Sequence, residues 1–257
     1  MFLCLTLTFL LTGAVYRVKL TQHGSGSEPT RALQIQDHPG LSVYLESGRG
    51  ERLLPPVKHY IQNLLKVNME GPYGLEWPVE EKIKRREMVA PEARYIFVHE
   101  KPGKRPITLR DGEKEAPIWN GDGDPIVGFV HYRFVVEEEM PVLYVFELQL
   151  EPSIQGRSLG KFLMQLIELI ARKNQMGAVM LTVQKSNLSA MNFYRNKMRF
   201  SISSTSPSSV DPLMGAEKSY EILCKTFDEE AKAKLEVKLL GLRAVWETSK
   251  ASFALRS

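Results

Sequence analysis

Apolar positions repeat with two different periods along this chain, and the change of period divides it. Over 57–69, VKHYIQNLLKVNM, Val57, Ile61, Leu64 and Leu65 fall on one helical face. The segment GPYGLEWP breaks that pattern, and VEEKIKRREMV predicts a charge-laced helix that stops ahead of Pro91. From there the period is two: RYIFVHE, IVGFVHYRFVV and VLYVFELQL predict three strands. A polar stretch over 101–125 separates the first two as a long loop, and EEEMP turns between the second and third. EPSIQGRSLGK then opens a helix in which Leu159, Phe162, Leu163, Leu166 and Ile170 mark a buried face. AVMLTV reads as a buried strand, NLSAMNFYRNKM as a helix with Asn187 at its N-cap, and FSISS and SYEILCK as two closing strands. Two helices followed by β-β-β-α-β-α-β-β predict an α+β, or mixed α/β, architecture.

Outside this span the periodicity fades. Residues 16–56 are rich in Gly, Ser and Pro, so 1–56 is expected to be a largely flexible arm ahead of a folded domain over 57–227. Residues 228–257 have helical propensity and are expected to form a tail outside the core. The first fifteen residues, MFLCLTLTFLLTGAV, form an apolar run ending in small residues. No Lys or Arg precedes the run, and it is short for a transmembrane helix. A targeting segment, an apolar packing arm and a divergent start stay open, with the last favoured.

Composition narrows the function class. With 43% hydrophobic and 25% charged residues among 257, the chain is that of a globular protein. Cys4 and Cys224 stand far apart and outside any metal-ligand spacing, so neither a metal site nor a disulfide scaffold is expected, and a reducing compartment is. The net charge of +4 suits a ligand carrying several phosphates. The basic residues are dispersed, which argues against direct nucleic-acid binding.

The candidate chemistry lies in a strand–loop–helix: VLYVFELQL, EPSIQGRSLG, KFLMQLIELIARK. A short loop turning directly into a helix points several backbone N–H groups one way, and these donors with the positive helix end bind phosphate oxygens. Gly156 and Gly160 remove side-chain bulk where a ligand approaches. Taken alone, the loop is a weak signal, and an ordinary tight turn accounts for it better. Glu147 is the one carboxylate on its strand, among apolar or neutral neighbours that raise a carboxyl's proton affinity toward that of a working base. An exposed strand Glu paired with a nearby Lys is the even alternative.

At Gln155, Gly156, Arg157, Ser158, Leu159 and Gly160 the sequence resembles the GNAT superfamily, whose Q/R-x-x-G-x-G/A loop holds the CoA pyrophosphate. Ser158 replaces the middle Gly. The blocks EWPVEEKIKRREM, HYRF, VLYVFELQLE, LGKFL, VMLTV, SAMNFYR and a Ser-Pro pair ahead of SYEIL span roughly residues 57–225. Together they resemble the N-alpha-acetyltransferase D family, which acetylates histone tails beginning Ser-Gly-Arg-Gly. The resemblance implies the GNAT fold, a mostly antiparallel sheet flanked by helices. It also implies acetyl-CoA as cosubstrate without a metal, and protein N-termini, histone tails above all, as partners. A monomer of cytoplasm and nucleus without firm membrane association is expected.

The resemblance also implies roles. Glu147 is the base that takes the amine's proton, with Tyr144 near the peptide pocket. Leu148, Gln149 and Leu150 pair with the pantetheine arm, Gln155 to Lys161 hold the phosphates, and Asn187 touches CoA. Tyr73, Trp77, Thr182, Thr205 and Tyr220 line the substrate, and Glu137 receives the tail's Arg. Val135 stands where the family has an Asp, and Phe146 where it has a second Tyr. Core packing, β pairing and helix capping remain the ordinary alternatives for these residues. No Cys or Ser nucleophile stands near the strand end, which favours direct attack over a covalent acetyl-enzyme. A GNAT acting on lysine or small amines, and a weakened CoA-binding module, are the alternatives. Ser47-Gly48-Arg49-Gly50 repeats the tail motif inside the arm, where a plain turn is expected over a pseudosubstrate.

Overall fold

A computed structural model describes residues 6–11, 14–22, 31–38, 41–101, 119 and 121–237, with side chains from Val43 onward. They fall into two compact units, Met1–Phe134 with Val145–Leu166, and Val135–Tyr144 with Ile167–Ser257.

In the first unit, strands β1 (Thr6–Leu11), β2 (Ala14–Gln22), β3 (Arg31–His38) and β4 (Leu41–Arg49) pair in succession, all antiparallel. β4 pairs with β5 (Arg94–Glu100), and β5 with β6 (Ile126–Glu137), again antiparallel. The C-terminal half of β7 (Met140–Leu150) follows β6. Helix α1 (Pro55–Tyr73) opens on two prolines, whose fixed φ suits a first helical turn. It carries Gly71 and Pro72 in its last turn and stops at Gly74, where φ is 54°. Helix α2 (Trp77–Glu87) follows one short turn later. Both helices bury one side in a core of Tyr60, Ile61, Leu64, Leu65, Trp77 and Met88 with Tyr95, Phe97 and Phe129 of the sheet.

In the second unit the N-terminal half of β7 is followed by β8 (Ala178–Gln184), β10 (Tyr220–Thr226) and β9 (Ser201–Ile202). β10 runs antiparallel to β8, from Tyr220 opposite Gln184 to Thr226 opposite Ala178. Helix α3 (Leu159–Lys173) belongs partly to each unit. Helix α4 (Leu188–Asn192) continues as a π turn over Phe193–Lys197, and α5 (Pro207–Val210) lies between β9 and β10. The architecture is the expected mixed α/β, with a mostly antiparallel sheet and helices packed on it.

Three expectations need correction. The segment read as a flexible arm contains β1 to β4, and β4 is integral to the sheet: Val43 and Leu45 are buried and alternate with half-buried Tyr44 and Glu46. The Ser47–Gly50 motif ends that strand and enters a 3₁₀ turn. A Cβ on Gly48 would stand 2.6 Å from the Phe97 ring, and one on Gly50 2.5 Å from the Ala90 carbonyl, so packing accounts for both glycines. The tail read as an appendix contributes α6 (Glu229–Leu235), whose Ala231 and Leu235 are buried with Met140, Val142, Met180 and Cys224. On α3 the buried face takes in Met164, Ile167 and Ala171, while Leu166 and Ile170 are half-buried. Of the expected loop, 102–118 and 120 lie outside the described residues, as does 238–257 of the tail.

Candidate active site

Glu147 sits on β7 and is 8% exposed. Each of its carboxylate oxygens has a donor. Lys84 of α2 forms an ion pair with Oε1, and the Gln149 side-chain amide donates to Oε2 at 2.8 Å. The Gln149 side-chain oxygen Oε1 accepts from Asn68 of α1 at 2.9 Å, and Asn68 also donates to the Leu150 backbone carbonyl at 3.0 Å. The surroundings of Glu147 are therefore not the apolar ones expected from its strand. A lysine does stand beside it, but the carboxylate is buried and not the exposed one of the alternative reading. Lys84 lies 5.3 Å over the Tyr73 ring. Burial opposes its charge, but the Glu147 carboxylate and Tyr73 together outweigh burial and hold the ammonium above the usual lysine range.

A ring of polar and aromatic groups surrounds this pair. His131 of β6 is stacked between Tyr95 and Phe146, 4.9 Å from each ring. Burial, with Arg133 and Lys84 adding to it, pushes the His131 pKa down to about 3. Arg133 lies 4.2 Å over Phe146 and donates to the Glu87 carbonyl at 2.7 Å. Phe146 is thus used as a stacking surface. Burial raises the Glu87 carboxyl, against the pull of Lys84. Trp77 is 4% exposed and belongs to the core, with Tyr73 6.0 Å from it.

Beyond β7 the chain takes a 3₁₀ turn over Pro152–Ile154 and enters the Gln155–Gly160 loop. The Gln155 amide donates to the Leu150 carbonyl at 2.9 Å, tying the loop to the strand end. Leu148, on that strand, is half-buried, and Lys161 is half-buried in the first turn of α3. Gly156 has φ of 73° and Ser158 φ of 61°. The serine therefore occupies a left-handed position at the place where the family motif has glycine. The Ser158 carbonyl accepts from Phe162 N, which starts α3. Gln155, Gly156, Arg157 and Ser158 are exposed, and Leu159 is buried as the first apolar anchor. An exposed loop entering a helix start fits a pyrophosphate, since first-turn N–H groups have no partners along the helix itself.

The second unit holds the remaining residues. The Tyr144 hydroxyl lies 2.6 Å from Thr182 Oγ1, so these two are brought together. Asn187 accepts from Ala190 N at 3.0 Å, which is its capping role. Thr205 lies 2.9 Å from the Ser203 hydroxyl, and half-buried Tyr220 opens β10. Val135 packs against the apolar cluster around Met140 and Val142. Glu137 ends β6, and Glu138 and Glu139 form the hairpin turn with φ of 48° and 58°. Beside Tyr220, Glu221 is buried, accepts from Ser206 and Ser208, and pairs with Lys185 at 3.1 Å.

Sequence reasoning missed Lys84 and Asn68. For Lys84 a signal existed: it stands seven residues after Trp77 and four before Met88, on the face of α2 that Trp77 and Met88 bury. A lysine on such a face needs a partner. Among the described residues no group of His, Cys, Asp or Glu could hold a metal ion, and no helix is long and apolar enough to cross a membrane.

Solved structures similar to the chain include the PaiA N-acetyltransferase of Thermoplasma acidophilum in complex with coenzyme A. It is 15% identical, with 71% of this chain and 99% of that one covered and a TM-score of 0.43. Arabidopsis thaliana NAA60 with a bisubstrate analogue is 12% identical, with 72% and 99% covered and a TM-score of 0.44. The NatC complex bound to Gag peptide and CoA is 12% identical, with 72% and 99% covered and a TM-score of 0.43. The sequence model of the acetyltransferase (GNAT) family matches residues 72–200, just over half of the chain and the whole stretch from α2 through β7, the loop, α3 and α4. The chain belongs to the GNAT acetyltransferase family, and acetyl-CoA is its cosubstrate.

Proposed function

We propose that this acetyltransferase acts on the α-amine of protein N-termini, with histone-like tails opening Ser-Gly-Arg-Gly as its substrates. The observation that carries the reading is Glu147, a buried carboxylate gripped on both oxygens, on the strand that leads into the Gln155–Gly160 loop. A protonated amine cannot attack a thioester. Glu147 takes the ammonium's proton, directly or through one water; the amine nitrogen bonds to the acetyl carbon; the carbon–sulfur bond breaks, and the second proton that the nitrogen sheds on becoming an amide goes to the departing sulfur, so CoA leaves as the thiol. An α-ammonium, with a reference pKa of about 8 against about 10.4 for lysine, yields its proton more readily to a carboxylate. The Tyr144–Thr182 pair and the acidic run Glu137 to Glu139 supply hydroxyl and carboxylate groups of the kind a small, Arg-bearing tail requires. The blocks shared with the N-alpha-acetyltransferase D family support the same acceptor, and with it work in cytoplasm and nucleus.

The test is a pair of peptides incubated with acetyl-CoA. One carries a free Ser-Gly-Arg-Gly terminus. The other has that terminus blocked and a lysine downstream. Acetylation of the first alone is expected; equal or greater acetylation of the blocked peptide's lysine would contradict the proposal.

A further inference from the structure

We propose that Lys84 is a positioning residue for the acetyl transfer, holding the Glu147 carboxylate in a single orientation. The proposal rests on reading Glu147 as the proton acceptor. Lys84 is 11% exposed, and a lysine this far from water is costly unless it is paired. Its partner is Glu147. The remaining grip is a chain of amides with one consistent orientation. Asn68 uses its NH₂ group on both Gln149 and the Leu150 carbonyl, so Gln149 presents its oxygen to Asn68 and its NH₂ to Glu147. Rotation of the carboxylate would break a bond at each oxygen.

Other ionisable groups near the pair do not replace Lys84. Glu80 and Glu87 on α2 are acids, and Tyr73 of α1 faces the ammonium. Tyr95 of β5 is held neutral by burial and then by Glu147 itself. His131 of β6 is neutral, and Arg133 is engaged by the Glu87 carbonyl and the Phe146 ring. Among the described residues, Lys84 is the cation in contact with Glu147.

The experiment compares steady-state kinetics of Lys84→Met and Lys84→Arg with those of the parent. Lys84→Arg, which keeps the ion pair with Glu147, follows the parent. Lys84→Met loses at least about tenfold in kcat on the free-terminus peptide, while KM for acetyl-CoA is unchanged. A kcat in Lys84→Met equal to the parent's, or a loss that Lys84→Arg does not rescue, overturns the proposal. Lys84→Gln gives the same comparison should the methionine variant fail to fold. Full activity of Glu147→Gln would instead remove the catalytic reading, whatever the Lys84 variants show.

Discussion

Ser158 carries the family loop's departure in a measurable form. At φ of 61° a residue with a Cβ is strained by about 1–2 kcal/mol, and glycine is not. Ser158→Gly is expected to stabilise the protein by about 1 kcal/mol and to tighten acetyl-CoA binding, both read by thermal melting with and without the cosubstrate. Looser acetyl-CoA binding in the variant would mean that the serine itself serves the phosphates. His131 makes a second residue-scale prediction. Its folded pKa lies near 3, below the ordinary 6.5, so in that window the unfolded chain binds a proton that the folded chain does not. The stability it contributes is complete above about pH 6.5 and is lost as pH falls toward 3. His131→Phe keeps the stack between Tyr95 and Phe146 and removes that titration. Urea unfolding at a series of pH values should then show a shallower acid slope, by about one proton. An unchanged slope would place the titration elsewhere.

At the scale of elements, the strands and helices from α1 to β10 are legible in the periods of their apolar residues, and Glu147 stands out as a lone charge on β7. What escaped has physical reasons. β4 does alternate, but its Gly48 and Gly50 belong to close packing against Phe97 and Ala90, and in sequence they look like a flexible turn. The grip on Glu147 comes from α1 and α2, and pairing between elements leaves no local pattern. α6 is short and mostly charged, so its two buried residues look incidental. Leu235 is nonetheless fully buried. Leu235→Ala should cost about 2–5 kcal/mol in denaturant unfolding, whereas a true appendix would leave stability unchanged.

At the scale of the molecule, family membership assigns acetyl transfer from acetyl-CoA, and the choice of acceptor rests on the residues around Glu147. Phe146 serves as a stacking surface and Val135 as part of an apolar cluster. The most direct measurement is mass spectrometry of a free Ser-Gly-Arg-Gly peptide incubated with acetyl-CoA and the protein, beside Glu147→Gln. The account predicts N-terminal acetylation by the parent and a rate lower by about a hundredfold or more in the variant. A parent that leaves the peptide N-terminus unmodified, or a variant as fast as the parent, would contradict it.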